Sequence, residues 1–204
     1  MGIEFLAGSK KKFNEFIKNI SKKDKIASIT HTDLDGVTSG KVVGEALNID
    51  LIKFVGYEEI NNDLVEELKK NKITKVVFSD LSFDDSSLIR KISKFADVLI
   101  IDHHIFKEDL NDDKITFLVA KDQCAGFFSF YLFFDLKGDL DWLVACACIA
   151  DFMYFKNQDF MKKVFKKYKE NFNIEKIKES KFWEVQYDLN LALIYFREDV
   201  KYVF

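Results

Sequence analysis

The sequence predicts an α/β protein: a doubly wound, mostly parallel sheet with flanking helices and a helical C-terminal part. Three observations carry this expectation. Short apolar, β-branched runs alternate with segments of helical periodicity, the pattern of strands joined by crossover helices. Those runs are apolar almost throughout, as strands covered on both faces are. From Gly126 onward the periodicity is helical.

Residues 10–23 are lysine-rich, with Phe13, Phe16, Ile17 and Ile20 at helical spacing, and predict an amphipathic helix laid on the domain. Lys25–Thr30 is a first short strand. Gly36 opens a helix that runs to about Leu47, and Asp50–Val55 is a second strand. The next helix, Asn62–Lys70, carries its acids early and its lysines late, as the helix dipole prefers. Thr74–Ser79 and Asp97–Ile101 are two further strands, separated by a helix near Asp84–Lys94, and Ile115–Val119 adds another. Helices are expected near 126–136, 140–154, 158–169 and 174–181. No internal repeat or low-complexity linker interrupts the chain. A composition shift near residue 156 divides it into a domain of residues 1–155 and a helical extension, 156–204, as linker or partner interface.

The 204 residues are 48% hydrophobic and include 22 Phe, enough to build a core and exclude general disorder. A net charge of −3 argues against a uniformly basic coat for nucleic acid. There is no proline, and only Arg90 and Arg197 are arginine, so phosphate would be met by lysine as a point charge more often than by a planar guanidinium fork. Cys124, Cys146 and Cys148 lie in apolar surroundings and are expected to be reduced thiols. The N-terminus lacks a signal pattern, and the apolar stretch Leu140–Phe155 is too short to span a bilayer and carries Asp141 and Asp151. A cytoplasmic protein without membrane contact is expected.

Three apolar strands each end in a polar cluster: ASITHTDLDG, VVFSDLSF and VLIIDHHIF. Ligands of open α/β sheets bind beyond the carboxyl ends of the strands, so His31, Asp33, Asp35, Asp80, Asp102, His103 and His104 should meet in one crevice. All three histidines of the chain are among them. Carboxylates gathered so closely repel one another and call for cations. Hard carboxylates mixed with imidazoles suit Mn²⁺, Mg²⁺ or Zn²⁺, and the lack of thiolate points away from structural zinc. Two ions roughly 3.5–4 Å apart can clamp a phosphoryl group and activate water, so phosphoester hydrolysis is the expected chemistry. Taken singly, Asp80 reads as a helix cap or turn former and His103-His104 as an ordinary loop. The weight rests on His31-x-Asp33-x-Asp35-Gly36 and Asp102-His103-His104 both following strands in one chain.

These motifs resemble those of the DHH phosphoesterase family. His31-Thr-Asp33-Leu-Asp35-Gly36 is similar to the first, Asp80 in FSDLSF to the second, Asp102-His103-His104 to the third, and Asp151 in CIADFMYF to the fourth. Cys124-Ala125-Gly126 resembles a small-residue turn that opens a helix in RecJ-like members. The resemblance covers about residues 25–155. It implies two divalent ions, Mn²⁺ first and Mg²⁺ second, one held by His31, Asp33 and Asp80, the other by Asp35, Asp80, His103 and Asp151, with Asp80 bridging. It further implies that His104 contacts the scissile phosphate and that Asp102 orients the histidines. The spacing of His31, two residues before Asp33, resembles the RecJ-like branch, which implies a single-strand exonuclease acting on DNA or RNA in repair. The alternatives are a small-molecule phosphoesterase for pyrophosphate or dinucleotides, and a non-catalytic replication or repair scaffold. A Gly-Gly-Gly-His-type motif that grips substrate in family members is absent, since the last glycine is Gly138 and the last histidine His104. A protein partner or a second copy would then supply that grip.

Asp159–Glu170 places Met161, Val164, Phe165 and Tyr168 on one helical face and Lys162, Lys163, Lys166, Lys167 and Lys169 largely on the other, a solvated face or a nucleic-acid surface. The apolar segment Trp183–Phe204, ending on Tyr202-Val203-Phe204, is expected to dock on the domain or on a subunit.

Overall fold

A computed structural model describes residues 2–83, 85–133 and 139–196 of the chain. Six strands form one sheet: β1 (Phe5–Ala7), β2 (Ile26–His31), β3 (Leu51–Val55), β4 (Lys75–Ser79), β5 (Asp97–Asp102) and β6 (Ile115–Ala120). Their order is β1-β6-β5-β4-β2-β3, and every pairing is parallel except the short edge strand β1 on β6. Eight α-helices among the described residues surround the sheet: α1 (Lys10–Lys18), α2 (Leu34–Ala46), α3 (Asn62–Lys70), α4 (Ser87–Ile92), α5 (Ala125–Leu132), α6 (Asp141–Ala150), α7 (Gln158–Lys167) and α8 (Lys181–Tyr195). The expected doubly wound, mostly parallel sheet is present.

Alternation along the strands divides two cores. Ile26, Val77, Leu99, Ile101 and Leu118 face the helices α1, α2, α5, α6, α7 and α8, whereas Ala27, Ile29, Val76, Phe78, Val98 and Ile100 face α3 and α4. The chain runs from β2 outward to β3 with α2 on the first face, then returns past β2 to β4 with α3 on the second. The winding therefore reverses between β2 and β4, which is where a doubly wound sheet opens its ligand crevice. At that junction Thr30 pairs in register with Ser79. The Ser79 hydroxyl donates to Thr30 Oγ1 at 3.0 Å, and the Thr30 hydroxyl donates to the Gly36 carbonyl at 2.5 Å, tying both strand ends to the first turn of α2.

Several local expectations change. Helix α1 stops at Lys18, because Asn19 caps it and Ser21 and Asp24 close a turn through a 2.7 Å bond from the Ser21 N–H. Strand β1 has no counterpart in the sequence reading; three residues are too few for a period-2 signal. The helix expected at 174–181 is a 3₁₀ turn, Ile177–Glu179, and α8 begins at Lys181. Ser180 is the reason: its side chain accepts the Trp183 N–H at 3.2 Å and so serves as an N-cap where periodicity alone continues a helix. The segment expected only to dock is helical through Tyr195, burying Gln186 and Leu193 while Tyr187, Leu191, Ile194 and Tyr195 stay exposed. Asp84, 134–136 and the terminal Tyr202-Val203-Phe204 lie outside the described residues. The division at 155 falls in the turn between α6 and α7, and residues on both sides of it enter the first core. No helix among the described residues is long and apolar enough to cross a membrane.

Candidate metal centre

The crevice at the β2/β4 junction receives side chains from five places. Asp33 ends the β2 loop and N-caps α2, its Oδ1 accepting the Gly36 N–H at 2.9 Å. Gly36 is required by close approach, since a Cβ there would lie 2.6 Å from the His31 carbonyl oxygen and 2.7 Å from the His31 Cβ. Gly36→Ala should consequently destabilise the fold by about 1–3 kcal/mol, as overpacking does. Denaturant unfolding checks this, and an unchanged midpoint would contradict the contact.

Asp35 points inward from the first turn of α2 and is buried. Its Oδ2 accepts the Ala125 N–H at 2.6 Å and its Oδ1 the Gly126 N–H at 2.8 Å, so the amino end of α5 holds it. A Cβ at Gly126 would lie 3.0 Å from Asp35 Oδ1, which explains the glycine. Sequence reasoning marks Cys124-Ala125-Gly126 as a helix-opening turn but misses that its N–H groups fasten a candidate ligand; the small residues are the available signal. Asp80 follows β4 with a left-handed backbone, φ 56°. That conformation is uncommon outside glycine but tolerated by Asp, and it turns the side chain back over the sheet end. Asp102 ends β5, His103 and His104 follow it, and Asp151 caps the carboxyl end of α6.

Two groups of potential ligands emerge, His31 with Asp33 and Asp80, and Asp35 with His103 and Asp151; within each, one ligand-type atom per residue lies within 4.8 Å of the others. His31 Nδ1 is 2.9 Å from Asp33 Oδ2 and 4.0 Å from Asp80 Oδ2. His103 Nε2 is 3.2 Å from Asp80 Oδ1, 3.6 Å from Asp151 Oδ2 and 3.7 Å from Asp35 Oδ2. Asp80 thus reaches both groups. A third set, Asp80, Asp102, His103 and His104, also falls within 4.8 Å. In it Asp102 Oδ1 is already engaged at 2.7 Å by His104 Nδ1, which fixes that imidazole's orientation. All eight sequence-predicted site residues are therefore brought together. Tyr57 is an addition that the sequence does not announce; its ring centroid lies 5.5 Å from that of His31.

The electrostatics show an excess of negative charge. Burial, then the charge of Asp151, pushes Asp35 well above the usual carboxylate range, even against the Gly126 N–H. Burial followed by Asp35 and Asp33 does the same to Asp80, and burial also raises Asp151 against the pull of His103. Burial opposes ionisation of Asp33 too, but hydrogen bonds from His31 and the Gly36 N–H outweigh it and hold the group at about 2. Burial and the neighbouring His104 lower His103, whereas the bond to Asp102 raises His104. Asp80 Oδ2 is buried and accepts no hydrogen bond among the described residues. A buried carboxylate with one oxygen lacking a hydrogen bond, set among three further carboxylates, is costly without a cation. The donor set is all oxygen and imidazole nitrogen, and it fits divalent ions of the Mn²⁺ and Mg²⁺ kind.

The raised groups make a prediction for the metal-free protein. Asp35 and Asp80 hold protons in the fold at pH values where the open chain has released them, so their contribution to stability declines as pH rises above about 4. Ions compete with those protons, so the stability gained from Mn²⁺ should widen over the same window. Denaturant titrations with chelator and with Mn²⁺ across that range check it; a metal effect that shrinks as pH rises would contradict it.

No family model matches the chain, and no curated protein sequence does. Solved structures do match. Exonuclease RecJ bound to manganese superposes with a TM-score of 0.56 at 16% identity, over 79% of this chain and 47% of that one. RecJ in complex with Mn²⁺ from Thermus thermophilus gives 0.50 at 18% identity, over 70% and 24%. CDC45 from Entamoeba histolytica gives 0.59 at 16%, over 76% and 38%. The fold is RecJ-like, and the chain spans less than half the length of each of these structures.

Proposed function

We propose that this chain is a metal-dependent phosphodiester hydrolase of the DHH type, acting on single-stranded DNA or RNA. The carrying observation is the pair of ligand groups that meet at Asp80, whose buried Oδ2 has no hydrogen-bond partner among the described residues. His31, Asp33 and Asp80 would hold one ion, and Asp35, Asp80, His103 and Asp151 the other. Two such ions would supply Lewis acidity, neutralising phosphoryl oxygens and lowering the pKa of a water nucleophile.

The chain's own residues do the positioning. The amino end of α5 keeps Asp35 in place, and the Thr30–Ser79–Gly36 linkage keeps the β2 and β4 ends in register. His104, oriented by Asp102 and raised toward its protonated form, would donate to a phosphoryl oxygen as charge develops on it. Likeness to manganese-bound RecJ supports nuclease activity and Mn²⁺ as the ion. Likeness to CDC45 favours a second reading, a replication scaffold of the same fold, but the full candidate ligand set speaks for catalysis. Contact with a protein partner or a second copy is supported by the exposed apolar stripe Tyr187, Leu191, Ile194 and Tyr195 on α8.

The test is hydrolysis, with and without Mn²⁺, of a panel containing single-stranded DNA, RNA, dinucleotides and pyrophosphate. Metal-dependent cleavage of single strands is expected. Turnover of pyrophosphate alone would move the protein to the small-molecule class, and no turnover despite metal binding would favour the scaffold.

A further inference from the structure

Imidazoles that bind metal are held from their far side: the ring nitrogen turned away from the ion donates to a carboxylate, a carbonyl or water, which fixes the ring. His104 has such a support in Asp102, 2.7 Å from its Nδ1. His103 lies against the His104 ring, centroids 4.3 Å apart, with Nε2 among three carboxylates. His31 is different. Its Nδ1 faces Asp33 at 2.9 Å and Asp80 at 4.0 Å, and its other ring nitrogen has no hydrogen-bond partner among the described residues. Its neighbour instead is the Tyr57 ring, 5.5 Å away between centroids with the planes tilted by 39°. That separation lies in the range at which aromatic rings attract one another.

The backbone brings Tyr57 there by bonds that do not involve its side chain. Val55 pairs with His31 at the last position of the β2–β3 register. The chain then enters a 3₁₀ turn, Tyr57–Glu59. The Gly56 N–H donates to Glu59 Oε2 at 2.8 Å, the Glu59 N–H to the Gly56 carbonyl at 3.1 Å, and Asn61 Nδ2 to the Glu58 carbonyl at 3.0 Å. The tyrosine joins neither core and is 47% exposed, so packing of the fold gives no reason for an aromatic residue at this place. Its contact with a candidate ligand does.

We propose that Tyr57 is a positioning residue for His31: its ring holds the imidazole turned toward Asp33 and Asp80, and so raises the affinity of the ion those three residues would hold. This rests on the metal-centre reading above. An unsupported imidazole loses rotamer freedom when it binds an ion, and that entropy opposes binding; a ring already packed has lost it in the fold. In this role the tyrosine touches neither ion nor substrate, and its hydroxyl is not needed. The second group, Asp35, His103 and Asp151, is linked to His31 through Asp80, so its ion should feel Tyr57 far less.

The experiment is Mn²⁺ titration of chelator-treated protein, with free Mn²⁺ counted by electron paramagnetic resonance, on wild type, His31→Ala, Tyr57→Ala and Tyr57→Phe. His31→Ala identifies which of the two dissociation constants belongs to the first ion. Tyr57→Ala should raise that same constant about tenfold, as loss of a group supporting a ligand does, and leave the other nearly in place. Tyr57→Phe keeps the ring and should match wild type. The denaturant midpoint of metal-free Tyr57→Ala should also match wild type, because the side chain belongs to neither core. Unchanged first-ion affinity in Tyr57→Ala, a loss shared equally by both ions, or a Tyr57→Phe variant as weak as Tyr57→Ala overturns the positioning role and leaves the metal centre standing. Wild-type protein that binds no Mn²⁺ overturns the metal centre and the positioning role with it.

Discussion

Asp80→Asn should abolish binding of both ions and with it all metal-dependent hydrolysis. Asp80 is the one candidate ligand that reaches both groups, with Oδ2 toward His31 and Oδ1 toward His103. Asparagine keeps the volume and tolerates the left-handed backbone, so the fold should survive. Indeed the metal-free variant should be more stable than wild type at neutral pH, because it no longer buries a carboxylate raised by burial and by Asp35 and Asp33. Metal affinity falls while apo stability rises, two opposite movements that a general folding defect does not produce. Equilibrium dialysis against Mn²⁺ and chelator-treated unfolding curves measure them. Retention of one ion at wild-type affinity would remove Asp80 from its bridging role.

His104→Ala should lower turnover by roughly 10²–10³-fold, the usual effect of removing one donor to a developing oxyanion. Ion occupancy should stay intact. The distinction from His103 is geometric: His103 Nε2 faces Asp80, Asp151 and Asp35, while His104 Nδ1 is committed to Asp102. Asp102→Asn should weaken the same step less, by loosening the imidazole and removing the charge that favours its protonated form. If His104→Ala loses metal instead, His104 is a ligand in the third group and the assignments of the two histidines exchange.

Much of the fold is legible in the sequence because each strand is a compact apolar run with a polar end; helix Asn62–Lys70 matches its expected bounds, and every parallel strand lies where the apolar runs place it. What escapes are features decided by single hydrogen bonds. Ser180 capping α8, and Asn19 with Asp24 ending the α1 region, leave periodicity unchanged and so are invisible to it. The antiparallel strand β1 exists through its pairing with β6, a contact remote in sequence. For the site, motifs at strand ends nominate seven of the eight candidates, since topology then brings them together, whereas Asp151, at the carboxyl end of α6, is nominated by the family resemblance alone. Support from the N–H groups of Ala125 and Gly126, far along the chain from Asp35, and the ring of Tyr57 against His31 required the tertiary structure.

The central claim is a two-ion centre bridged by Asp80, and Mn²⁺ titration of chelator-treated protein followed by electron paramagnetic resonance tests it most directly. The account predicts two ions per chain, with a spectrum broadened by coupling between neighbouring Mn²⁺ ions. A single uncoupled ion at saturation, or none, would contradict it.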